Sequence, residues 1–263
     1  MLVQDIASVL ESWAPLPAAE SYDNVGLLVG RPDWEVSGIM INLDMTEAVV
    51  EEARAKGCNM LVTHHPIWFS GRKRLIGDDY VSRTIMKAIK EDIALYACHT
   101  NLDNIRTGVN QRIADLIGLE KTAFLQPKSQ PVEENELGSG MIGELPEALE
   151  VPAFLRLIKE RFRCGGIRYA EGTGEPIKKV AVCGGSGSFL TRTALKQGAD
   201  AFVTADITYH KFFDQEESML LLDIGHYESE QFTSQLIHEF LSEKFPNFAI
   251  RLSETYTNPV RYF

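Results

Sequence analysis

Short apolar runs alternate with stretches whose apolar residues recur every three or four positions, and this alternation persists through most of the chain. GIMINLDM reads as a strand, TEAVVEEARAKG as a helix closed by glycine, and NMLVTHH as the next strand. A helical pattern around DDYVSRTIMKAIKE follows, then the strand IALYACH. The N-terminal stretch MLVQDIASVLESWAP is patterned as an amphipathic helix. Strands separated by helix-length patterns predict an α/β fold with mixed, mainly parallel sheets flanked by helices. Residues 127–150 change character, with proline, glycine and acids clustered, and a lobe boundary is placed near them. VPAFLRLIKERFR resumes as a helix with Pro152 in its first turn. The expected lobes are 1–127 and 128–263, with an intertwined arrangement left open in which the C-terminal segment returns to a shared site.

The pattern repeats itself. AVVEEARAKGCNMLVTHH, from Ala48, can be laid on FLTRTALKQGADAFVTAD, from Phe189, so that Gly57 meets Gly198 and Thr63 meets Thr204. LYACHTNLD, from Leu95, matches LDIGHYESE, from Leu222, so that His99 meets His226 and Asp103 meets Glu230. A helical run follows each, VNQRIADLIGLE in one and QFTSQLIHEFLSEKF in the other. Two matches in the same order predict two pseudo-symmetric lobes born of a duplication.

The repeated motifs carry the chemistry. Neighbouring side chains within a strand point to opposite faces. His64 and His65 stand side by side at a strand's end, however, where Pro66 stops ladder pairing and both rings are able to turn to one crevice. Beyond the carboxyl edge of such a sheet is where ligands sit. With His99, Asp103, His226 and Glu230 the set comprises four imidazoles and two carboxylates. It suits two divalent ions of zinc, manganese, iron or cobalt without choosing among them. Either Asp103 or Glu230 is placed to bridge a pair of ions. The bland alternative, satisfied structural histidines, fits His238 inside QLIHEF. It fits the other four less well, since they fall at strand ends and two precede a carboxylate by four positions.

Three further stretches carry less. VAVCGGSGSFL reads as strand, tight turn and helix; its amides suit either a phosphate or a turn without ligand. TADITYHKFFDQ puts Asp206 and His210 past the strand equivalent to that of His64, which makes His210 a candidate general acid–base or a plain loop histidine. SYDNVGLLVG has turn chemistry before a strand.

Composition narrows the choice. A net charge of −11 disfavours nucleic acid as partner. No apolar run is long enough for a membrane span, and the first residues lack the basic start of a leader. Cys58, Cys98, Cys164 and Cys183 are scattered, which speaks against a thiolate zinc site and for a reducing, cytoplasmic setting.

Taken together, DNVGLLVG, THHP, HTNLD, CGGSGS, AD-x-x-YH and GHYESE, in this order from about Ser21 to Glu230, resemble the GTP cyclohydrolase 1 type 2 homologue family, the Nif-three-like dinuclear metal proteins. The resemblance implies a duplicated α/β fold with two metal ions in a cleft between the lobes, and assembly as a toroidal homohexamer. It implies His64, His65, Asp103, His226 and Glu230 as ligands, with His99 either a ligand or a group orienting one. Ala205 departs from the glycine the family often has before the acidic residue. The expected function is a metal-dependent hydrolase acting on a nucleotide or another phosphorylated small molecule. The alternative is a metal-stabilised oligomeric interaction or regulatory protein without turnover.

Overall fold

In a computed structural model the structure describes residues 1–128, 132 and 136–263; part of the 127–150 stretch that suggested a lobe boundary lies outside the described residues. The chain divides into two compact units, Met1–Leu102 with Thr233–Asn258, and Asp103–Phe232 with Pro259–Phe263.

The first unit opens with α1 (Val3–Trp13), which buries Val3, Ile6 and Leu10 on one face, and continues through β1 (Gly26–Val29) and β2 (Ile39–Asn42). Next come α2 (Glu47–Ala55), β3 (Met60–Thr63), α3 (Tyr80–Lys90), β4 (Ala94–Ala97) and the single turn α4 (Thr100–Asp103). The second unit holds α5 (Val109–Ile117), β5 (Glu120–Pro127), β6 (Gly138–Leu149), α6 (Val151–Arg161), β7 (Arg168–Ala170) and β8 (Ile177–Val182). It closes with α7 (Thr191–Lys196), β9 (Ala201–Thr204), β10 (Leu220–Asp223) and α8 (His226–Glu230). The chain then re-enters the first unit as α9 (Thr233–Lys244) and β11 (Ile250–Leu252).

Helix starts follow the local chemistry. The Thr46 side chain accepts from Val49 N to cap α2, and Asp79 accepts from Ser82 N at 2.7 Å to cap α3. Pro152 sits in the first turn of α6, where no amide is needed. Gly57 and Gly198, matched in the repeat, both follow helices with φ near +70°, the left-handed conformation that glycine adopts without strain.

Among the described residues there are two sheets, with orders β1-β4-β3-β2-β11 and β5-β6-β8-β9-β10-β7. In the first, β4, β3, β2 and β11 run parallel and β1 pairs antiparallel with β4. In the second, β8, β9 and β10 are parallel, with β7 antiparallel on β10 and β6 antiparallel on β8. The triplets β2-β3-β4 and β8-β9-β10 are the two copies of the duplicated unit, each with an antiparallel strand beside its last member. All residues of β2, β3, β4, β9 and β10 are buried, which is why they read as unbroken apolar runs. Helices cover these strands: Val49, Val50 and Ala53 of α2 pack with Met40 and Leu61, and Ala194 of α7 with Ala181 and Phe202.

Gly138–Leu149, within the stretch whose glycines and acids had suggested a lobe boundary, is a twelve-residue strand. Its glycines serve close packing: a methyl group at Gly143 would lie 2.8 Å from the Glu120 carbonyl oxygen, and one at Gly138 would overlap the Phe124 side chain.

Candidate metal centre

The first unit gathers His64, His65 and His99 beyond the carboxyl ends of β3 and β4. Each offers a ring nitrogen, and the three nitrogens lie within 4.8 Å of one another, so the cluster is able to hold a metal ion. Ring centroids are 4.9 Å apart for His64 and His65, 5.1 Å for His64 and His99, and 5.6 Å for His65 and His99.

The other nitrogen of each ring is already committed. His64 Nδ1 is 2.8 Å from the Cys98 carbonyl oxygen, His65 Nδ1 is 2.7 Å from Asp44 Oδ1, and His99 Nδ1 is 2.8 Å from Asp23 Oδ1. Carbonyl and carboxylate oxygens only accept, so each Nδ1 carries the proton and donates it. In the neutral imidazole the lone pair is then on Nε2, the ligating form. Burial would raise the Asp23 pKa, but hydrogen bonds and charge from His99, with the Thr100 amide and hydroxyl, bring it down to about 2. Asp44 is likewise lowered, its burial outweighed by His65 with help from Thr257 and the more distant His64.

The second unit holds a matching set. His226 opens α8, and Glu230, one turn on, shares its face, with Nε2 and Oε2 3.0 Å apart. Two atoms each about 2.1 Å from one ion and at right angles to each other lie roughly 3 Å apart, so this spacing suits a shared cation. His226 Nδ1 donates to Asp206 Oδ2 at 2.6 Å, and Ser186 Oγ donates to the same oxygen at 2.6 Å. Burial would lower the His226 pKa, but Glu230 and Asp206 raise it to about 11. Positive charge is therefore stabilised here, whether carried by a proton or by a metal ion.

The glycine-rich turn after β8 builds this set rather than a phosphate cradle. Three of its amides are taken: Gly184 N donates to Asn110 Oδ1 at 2.9 Å, Gly185 N to Ser229 Oγ at 3.0 Å, and Gly187 N to Thr204 Oγ1 at 2.9 Å. Gly185 has φ +58°, and a methyl group there would come within 2.5 Å of Glu230 Oε1. Asn110 also donates to the Asp103 carbonyl at 3.1 Å and so ties that residue to the turn. Burial, with the charges of Asp103 and Glu230, pushes the Cys183 thiol upward, and burial does the same for Cys98. Neither sulfur is among the described groups able to hold a metal ion, which offer nitrogen and oxygen.

His210 lies exposed in the 3-10 turn Tyr209–Gln215, its ring edge-on to Tyr209 at 5.2 Å, and it belongs to neither histidine set. His238 is half-buried on α9. Ala205, at the departure from the family glycine, is fully buried and donates its amide to Gly185 O at 2.9 Å. Sequence reasoning missed the orienting groups Asp23, Asp44, Ser186 and the Cys98 carbonyl. The first two stood in view as the acid of the SYDN turn and the acid closing GIMINLD, each just outside a strand.

Fold and site together define a duplicated α/β protein with histidine–carboxylate sets at its strand ends. The chain belongs to the Duf34/NIF3 (NGG1p interacting factor 3) family, whose model matches residues 1–259. Among curated relatives, the GTP cyclohydrolase 1 type 2 homolog of Clostridium perfringens is 38% identical over 88% of this chain and 87% of its own length. That of Streptococcus pneumoniae is 31% identical with both chains fully covered. Among solved structures, the Bacillus cereus protein related to NIF3 matches with a TM-score of 0.93 at 26% identity, covering 100% of this chain and 99% of its own. Staphylococcus aureus protein SA1388 matches at 0.89 and 30% identity, with coverage of 100% and 99%. No described helix is long and apolar enough to cross a membrane.

Proposed function

We propose that this chain is a metal-dependent hydrolase that binds two divalent ions through His64, His65, His99, Asp103, His226 and Glu230. The observation that carries the reading is the uniform set of the imidazoles: His64, His65, His99 and His226 each have Nδ1 held by an acceptor. Isolated structural histidines have no reason all to be tethered through the same ring nitrogen. The imidazole–carboxylate set fits zinc, manganese, iron or cobalt. When bound, such ions supply Lewis acidity for hydrolysis at neutral pH.

The protein's own groups do the rest. Asp23, Asp44 and Asp206 fix the rings of His99, His65 and His226. Glu230 is almost fully buried, so its charge acts at low dielectric. His210, exposed in its 3-10 turn, is the proposed proton carrier. The names of the relatives make guanine nucleotides the first substrates to try, followed by other nucleotides, phosphoesters and cyclic amides. Self-association into a hexamer in the cytoplasm belongs to the same reading; light scattering coupled to size exclusion is expected to find six chains per particle, and a monomer contradicts it.

The test is elemental analysis of His64→Ala beside turnover of that panel with Mn, Zn, Fe or Co. Metal content and activity are expected to fall together. Unchanged metal stoichiometry in the variant refutes the ligand set. A wild-type chain that binds metal but turns over nothing in the panel refutes the hydrolase and favours the interaction protein. His210→Gln is expected to keep its metal and lose turnover.

A further inference from the structure

The segment after β11 runs back along the end of β2. Ser253 N donates to Ile41 O at 2.9 Å, extending the parallel pairing of Ile250 with Ile39 and of Leu252 with Ile41. Asn42 Nδ2 then donates to Ser253 Oγ at 3.0 Å and to the Thr255 carbonyl at 3.1 Å. Glu52 of α2 collects Ser253 Oγ at 2.6 Å, Glu254 N at 2.8 Å, Thr255 N at 3.0 Å and Thr255 Oγ1 at 2.6 Å. From the arm so anchored, Thr257 Oγ1 donates to Asp44 Oδ2 at 2.5 Å.

Asp44 is the group that holds His65, through its other oxygen. The same turn holds His65 a second time, since His65 N donates to Leu43 O at 3.0 Å. A carboxylate fastened at one oxygen is able to rotate about its bond to Cβ, and the imidazole it holds is turned or let go as it does. Fastened at both oxygens, it keeps one plane. We propose that Thr257 is a positioning residue for His65: the C-terminal arm, anchored on Glu52 and Asn42, sets the plane of Asp44 and through it the direction of His65 Nε2. The inference rests on the reading of His65 as a metal ligand and goes beyond it by making the segment after β11 part of the site's alignment.

The effect is a moderate one. The Asp44 side chain is 30% exposed, so water replaces the lost hydroxyl in part. Outer-shell partners of metal ligands are worth about 10- to 100-fold in affinity, and the lower end, about tenfold, is expected for Thr257→Val. Thr257→Ser keeps the hydroxyl and is expected to restore wild-type affinity.

Two readouts decide. The first is the zinc dissociation constant of wild type, Thr257→Val and Thr257→Ser, measured by chelator competition. The second is the tautomer of His65 in the metal-free chain, from two- and three-bond nitrogen–proton couplings in an imidazole-labelled sample. Wild type and Thr257→Ser are expected to hold the Nδ1–H form, and Thr257→Val to show a mixture of both forms with about tenfold weaker zinc binding. A purely structural threonine would lower the melting temperature and leave the tautomer alone. Zinc affinity within twofold of wild type together with an unchanged Nδ1–H signal in Thr257→Val overturns the proposal. Should the wild-type chain take up no ion, the metal-centre reading fails, and the His65 tautomer alone then confirms or overturns the role of Thr257.

Discussion

Asp23→Asn puts the orienting scheme to a quantitative test. The Asp23 side chain is fully covered and its two oxygens accept from three donors, His99 Nδ1 at 2.8 Å, Thr100 N at 3.0 Å and Thr100 Oγ1 at 2.5 Å. Asparagine keeps one acceptor and turns an NH2 group toward the remaining donors. Losing one hydrogen bond to a charged acceptor costs about 1.5–3 kcal/mol. The same bonds bring the Asp23 pKa from 3.8 down to about 2, a shift of the same order, about 2 kcal/mol at 1.36 kcal/mol per decade. Because the folded-state value lies below the unfolded one, this stabilisation is complete above pH 4 and disappears as the pH falls toward 2. Urea unfolding of the metal-free chain at pH 7 is therefore expected to show Asp23→Asn about 2 kcal/mol less stable than wild type. The gap should close on acidification to pH 2. The variant is also expected to bind zinc 10- to 100-fold more weakly, since His99 loses the acceptor that fixes its tautomer. A variant within 0.5 kcal/mol of wild type at pH 7, with an unchanged zinc dissociation constant, refutes the scheme.

Two other substitutions probe supports of the site. Glu52→Gln removes the charge that gathers Ser253, Glu254 and Thr255. Burial would raise the Glu52 pKa, but these bonds, the Glu254 amide foremost, bring it from 4.5 to about 2, so its contribution is present above pH 4.5 and lost below. A loss of about 1.5–3 kcal/mol is expected at pH 7, with faster amide exchange confined to β11 and the arm; uniform exchange through the first unit contradicts this. Gly185→Ala forces a methyl group within 2.5 Å of Glu230 Oε1 at φ +58°. It is expected to fold with about 1–3 kcal/mol less stability and reduced metal uptake, and wild-type values for both would count against the tight seat of Glu230.

The duplicated framework was readable from sequence because its strands are buried on both faces and closed by turn residues that leave a signal. The unbroken apolar runs of β3 and β9, with Gly57 and Gly198 at matched positions, carry that signal directly. The imidazoles were readable for the same reason, since His64 and His65 directly follow the last residue of β3. Gly138–Leu149 was not. Its glycines look like linker composition, whereas their role is to let β6 approach Glu120 and Phe124, a fact of tertiary packing. Asp23 and Thr257 were invisible as partners for a related reason: they reach His99 from 76 residues away and Asp44 from 213. No local pattern encodes such separations. The glycine-rich turn suited a phosphate or a turn without ligand equally in sequence, and the hydrogen bonds of Gly184, Gly185 and Gly187 show that these three amides are spent within the protein.

In the proposed function six side chains, His64, His65, His99, Asp103, His226 and Glu230, hold a pair of divalent ions. Anomalous scattering from crystals grown with the protein's own metal, collected on both sides of the Mn, Fe, Co and Zn edges, tests it most directly. Two peaks about 3.5–4 Å apart are expected, with His64, His65, His99, Asp103, His226 and Glu230 supplying the protein ligands. A single peak, peaks bound by other residues, or none after soaking with each of these metals contradicts it.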